Sequence, residues 1–134
     1  MLSVFPTLLT FGIVAPFVLR FAVGIFFFLR GYDHFKGNRF AVAKEFEKWT
    51  GSFSKTFVLV VAAVEIAIGL AMIAGFLTQI AALLGTIYAL KLLWFRKDYK
   101  KFAPDSAALY WMVFAICLSL LVLGAGAFAV DLPL

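Results

Sequence analysis

Residues 12–31, 57–76, 78–95 and 107–127 of this chain form four apolar runs, each close to the roughly 20 residues that a helix needs to cross a bilayer. No other feature limits the fold so tightly. Hydrophobic residues make up 65% of the 134 and charged residues only 14%, against about half and a quarter in an ordinary soluble domain. The four runs take up the length as one integral membrane domain, 1–134, and leave no room for a soluble catalytic module. The expected fold is all-α: an antiparallel bundle of four transmembrane helices.

The first run does not read as a cleaved signal peptide. Residues 1–19 contain no Lys or Arg, so the positive leading region is missing, and the stretch from Leu2 to Leu29 exceeds a short hydrophobic core. Pro6 and Pro16 are expected to divide it into a short interfacial helix and the first span. Orientation follows from the basic residues. Arg30, Lys36, Arg39, Lys44, Lys48 and Lys55 fall at or within the first connection, and Arg96, Lys97, Lys100 and Lys101 within the third. The positive-inside rule therefore puts both basic connections in the cytoplasm and both termini outside. The net charge of +5 belongs to this signal and to anionic lipid headgroups. It does not point to nucleic acid, because no basic surface of sufficient size lies outside the membrane. The lone Cys117 excludes an internal disulfide.

Between the first two spans, Phe40, Ala43, Phe46 and Trp49 recur at three-residue steps among Lys44, Glu45, Glu47 and Lys48. The spacing predicts an amphipathic helix over about 39–50, lying in the interface with its aromatic side in lipid. Ser54 and Thr78 are candidate caps for the second and third spans, and Pro-Asp-Ser at 104–106 reads as a stop followed by a helix start. Trp94, Tyr99, Tyr110 and Trp111 resemble an aromatic belt at one face.

Three ionisable residues lie within the predicted spans: Arg20, Glu65 and Lys91. Each is costly in hydrocarbon, at least ~2.5–3.5 kcal/mol on insertion scales. Lys91 is close enough to the end of its span to snorkel. Arg20 and Glu65 are expected at depths only ~6 Å apart, given 1.5 Å per residue and a core of about 30 Å. The expectation is an intramembrane ion pair between spans one and two, either a register lock or the lining of a ligand or proton site. The alternative is that Arg20 reaches outward to Asp131. Gly24, Gly31 and Gly69 share helical stripes with these charges, as small residues do where membrane helices pack closely. His34 reads as a wet interface histidine, or as a proton-transfer group beside Asp33. Tyr88 is a buried tyrosine placed to hydrogen-bond a quinone or the ion pair. A single histidine builds neither a two-sided haem site nor a His-rich metal site, so no metal is expected.

"LRFAVGIFFFLRGYDHFKG", "VEIAIGLAMIAGFLTQIAALLG" and "LVLGAGAFAVDLPL" together resemble the DoxX family of bacterial and archaeal four-helix membrane proteins. Arg20, Gly24, Gly31 and Lys36 match the family's first-span pattern. Glu65, Gly69, Gly75 and Thr78 match the second, and Gly124, Gly126 and Asp131 the last. The long connection carrying the Phe/Trp pattern, and Ala129 where a serine is common, depart from it. The resemblance implies the multi-pass plasma (inner) membrane of a prokaryote. It also implies a link to redox assemblies, since one relative forms part of a thiosulfate:quinone oxidoreductase. The residues supply no self-contained redox centre: there is no CxxC, His pair or nucleotide motif. The expected role is a non-catalytic accessory or assembly subunit with a protein partner or a second copy of itself. The alternative is a quinone-interacting subunit with no intrinsic cofactor.

Overall fold

A computed structural model describes residues 11–126 and 128–130. Among them all regular structure is helical: α1 (Val14–Tyr32), α2 (Arg39–Thr50), α3 (Ser54–Ala74), α4 (Thr78–Phe95) and α5 (Ala107–Leu123). A wider π-helical turn, Asp33–Gly37, prolongs α1. Three stretches are long and apolar enough to cross a membrane: Val14–Gly37, Arg39–Ala74 and Thr78–Phe95. Helix α5 is equally apolar but ends at Leu123, short of the expected 127. The backbone turns away there through Gly124 and Gly126, both at positive φ. Pro16 lies in the first turn of α1, where a missing N–H costs nothing. Pro6 falls outside the described residues.

Helices α1, α3, α4 and α5 form a ring in that order, each packed on the next and α5 closing on α1, while α2 lies against α3. Helices α1 and α3 touch backbone to backbone. A Cβ on Gly24 would sit 3.0 Å from Gly69 O, and one on Gly31 would sit 2.9 Å from Ala62 O. The two helices are therefore antiparallel, with Gly24 opposite Gly69 and Gly31 opposite Ala62. Helix α3 ends at Gly75 in the left-handed region (φ 68°), with Phe76 N donating to Ala71 O. Such a cap is open to glycine without the steric penalty of a Cβ. The next helix is preceded by Leu77, also left-handed, rather than capped by the Thr78 side chain. Phe53, not Ser54, precedes α3. Ser106 does cap α5, its Oγ accepting from Leu109 N at 3.3 Å.

The stripe on α2 divides differently from the expectation of an aromatic side in lipid. Phe40 and Trp49 are exposed, but Ala43 and Phe46 are buried against the bundle. Phe46 stacks on Tyr99 at 4.6 Å between centroids and meets Phe57, Phe95 and Phe102. The adjoining Val42 is buried with them, so the inward face is centred about one position away from the predicted stripe. On the same helix, Glu45 accepts from the backbone N–H groups of Lys101 and Phe102 at 3.0–3.1 Å. This ties α2 to the connection between α4 and α5.

Cys117 is wholly buried on α5, with Gly85 of α4 directly opposite its Sγ. A water-soluble maleimide is expected to leave the folded protein unlabelled and to react once it is denatured. Labelling of the folded protein would mean that α4 and α5 separate at this level.

Candidate functional site

After its polar first turn, Ser54-Lys55-Thr56, helix α3 is apolar except near its middle, where Glu65 points inward and is wholly buried. A carboxylate there must find donors on neighbouring helices. It finds three. Arg30 Nε on α1 donates to Oε1 at 3.0 Å, and Tyr88 OH on α4 donates to the same oxygen at 2.7 Å. His34 Nδ1, in the π-helical turn, lies 2.6 Å from Oε2. Glu65 thus joins α1, its extension and α4 at one point.

Arg30 carries the network on to α5. Its Nη1 donates to Asp105 Oδ2 at 3.2 Å and to Tyr110 OH at 3.0 Å, and its Nη2 donates to Phe102 O. Tyr110 OH donates to Asp105 Oδ2 and accepts from Asp105 N, both at 3.2 Å. The guanidinium lies over the Tyr110 and Phe102 rings at 5.4 and 5.6 Å, and His34 stacks on Phe102 at 5.2 Å. A planar cation with donors in several directions suits such a junction as lysine would not. A buried cation held between two carboxylates and two ring faces is electrostatically complete.

The expected Arg20–Glu65 pair does not form. With Gly24 opposite Gly69 and Gly31 opposite Ala62, Glu65 is level with residue 28 of α1. Arg30 lies two residues from that level, whereas Arg20 lies eight residues away, about 12 Å along the axis. Equating the ends of the two apolar runs had shifted the register. Arg20, also wholly buried, instead turns to the chain after α5. It donates to Ala125 O at 2.8 Å and to Phe128 O at 3.2 Å, with its guanidinium 5.5 Å from the Phe17 ring centroid. Gly75 and Gly126 border this place: a Cβ on Gly75 would run into Arg20 and Ala129, and one on Gly126 into Pro16. Gly124 lies in the turn itself, in open space. Asp131 falls outside the described residues. Arg20→Gln is expected to destabilise the protein by about 1.5–3 kcal/mol, the worth of hydrogen bonds to a charged group. Amide exchange should speed up over 124–130 while the Glu65 cluster stays protected, and hydrogen exchange read by mass spectrometry checks both.

His34 is buried rather than wet, and Tyr110, assigned to the aromatic belt, is an interior residue. Arg30 and Asp105, read only as orientation and helix-start signals, are central to the site. The signal for Arg30 was present: Val23, Phe27, Arg30 and His34 follow each other at helical steps on the buried face of α1. Lys91 stands apart on the exposed side of α4.

Beside the cluster, a cleft of about 210 Å³ is bordered by Arg30, Asp33, His34, Asn38, Lys101 and Asp105. His34, Glu65 and Tyr88 make a continuous hydrogen-bonded chain leading from it into the bundle, and each can give or accept a proton. Among the described residues no group of three or more His, Cys, Asp or Glu side chains could hold a metal ion.

No curated protein and no solved structure matches this chain. The model of the DoxX family matches residues 15–98, from the start of α1 to just past α4, and so includes Arg30, His34, Glu65 and Tyr88. With most of its length matched and its long apolar helices in place, the chain is a membrane protein belonging to the DoxX family.

Proposed function

We propose that this protein is a non-catalytic accessory subunit of a membrane-associated, redox-related complex. Its single membrane domain spans the bilayer four times, with α5 as the fourth span and α2 in the interface. It resides in the plasma (inner) membrane of a prokaryote with both termini outside and the basic connections in the cytoplasm, where anionic lipids attract them. The observation that carries the reading is the bracing of the connection between α4 and α5. Glu45 holds the amides of Lys101 and Phe102, Arg30 holds Phe102 O, and Tyr110 holds Asp105. Arg96, Lys97, Lys100 and Lys101 stand exposed on this fixed segment. It is a preorganised cationic platform of the kind that favours docking of an acidic protein surface.

Purification from native membranes in mild detergent tests the proposal. A stoichiometric redox partner is expected, lost when Lys97, Lys100 and Lys101 are changed to Glu with thermal stability unchanged. Retention of the partner after the charge reversal would count against the platform.

A second reading, a quinone-interacting subunit, is favoured by the cleft beside Arg30 and His34. Reducing a quinone to its quinol consumes two electrons and two protons. The electrons would come from a partner's cofactor, and the His34–Glu65–Tyr88 chain suits proton delivery. Stoichiometric quinone in an organic extract of the purified protein, lost in Glu65→Gln, would select this reading.

A further inference from the structure

A groove of about 740 Å³ lies on the outer side of α4, away from the Glu65 cluster, between its last turns and the end of α2. Its walls are apolar: Ile87 and Leu90 towards the middle of α4, and Trp94 with Trp49 towards the basic connections. The two indoles are 81% and 77% exposed, well beyond what packing within the chain requires. Two charges border the groove, Lys91 and Asp98. Among the described residues, salt bridges join Arg30 to Glu65 and to Asp105, and His34 lies against Glu65. None engages Lys91 or Asp98.

The order of these groups along the membrane normal matters. Apolar side chains come first, then Lys91, then Asp98 in the turn after α4. Seven residues separate the two charges, at most about 10 Å of helix rise. A lysine stem reaching towards the headgroup region shortens that gap. A phospholipid with an amine headgroup presents the same sequence from core to water: acyl chains, phosphate, ammonium. We propose that the groove binds one phospholipid of the phosphatidylethanolamine type. Lys91 takes the phosphate, Asp98 takes the ammonium, and the tryptophans flank the glycerol region, where aromatic residues concentrate in membrane proteins. Phosphatidylglycerol offers Lys91 the same phosphate but gives Asp98 only neutral hydroxyls in place of the ammonium, so the groove discriminates between the two. The inference does not depend on the docking proposal, because it rests on Lys91, Asp98 and the two tryptophans rather than on Arg96, Lys97, Lys100 and Lys101.

The test is lipid titration of the delipidated full-length protein by native mass spectrometry, using phosphatidylethanolamine and phosphatidylglycerol of identical chains. One equivalent of phosphatidylethanolamine is expected to bind about fivefold more tightly than phosphatidylglycerol, the upper end of what a partly exposed ion pair contributes. Asp98→Asn should abolish the preference, and Lys91→Gln should weaken both lipids. As a readout in which the variants need not be compared, brominated phosphatidylethanolamine should quench Trp49 and Trp94 in a Trp111→Phe background more than brominated phosphatidylglycerol does. Equal or tighter binding of phosphatidylglycerol, a preference that survives Asp98→Asn, or equal quenching would each overturn the proposal.

Discussion

Arg30→Leu is expected to destabilise the protein by about 3–5 kcal/mol, the cost of removing one partner from a buried ion pair. The substitution deletes the donor to Glu65, both donors that reach the Asp105–Tyr110 pair and the donor to Phe102 O. It leaves a wholly buried carboxylate with only His34 and Tyr88. Thermal unfolding in detergent would read the loss. Arg30→Leu combined with Glu65→Leu should recover most of it, because the stranded charge is then gone as well. A single Arg30→Leu variant as stable as the wild type would mean that the cluster contributes nothing to holding α1, α3 and α5 together. At Arg20 the same change should leave the Glu65 cluster intact, since none of its donors comes from there.

The second large effect belongs to Gly69→Ala. The added Cβ would lie 2.6 Å from Phe28 N and 2.8 Å from Gly24 O. Both are backbone atoms of α1, so no side-chain rotation relieves the contact and the helices must move apart. Overpacking of this kind costs about 1–3 kcal/mol. Here the separation would also stretch the hydrogen bond between Arg30 and Glu65. Gly37→Ala is the matched control, since a Cβ there meets nothing within 4 Å, and its melting temperature should stay at the wild-type value. Equal losses at both positions would indicate that α1 and α3 do not touch backbone to backbone.

Much of the architecture could be read without coordinates because it rests on one-dimensional quantities. Run length and composition decide that these segments are apolar helices, since a helix satisfies its own backbone wherever it is placed. The helix at Arg39–Thr50 also follows from its spacing, and the order of Arg20, Glu65, Gly69 and Gly75 carries the family. What a sequence does not contain is the axial offset between two helices. The ends of the apolar runs gave one offset for α1 against α3. Close approach at Gly24, Gly31 and Gly69 imposes another, about five residues different, because glycine backbones can only interlock where no Cβ intervenes.

That offset decided the site. It moved Glu65 from the level of Arg20 to that of Arg30, and it drew His34 inward as the fourth member of a buried face. Asp105 joined from the third connection and Tyr110 from the helix beyond it, contacts that no local pattern announces. The chain by itself determined that charges would be buried among apolar helices and would need partners. Only the packed bundle decided which partners, because an intramembrane charge pairs with whatever donor the helix register brings within about 3 Å.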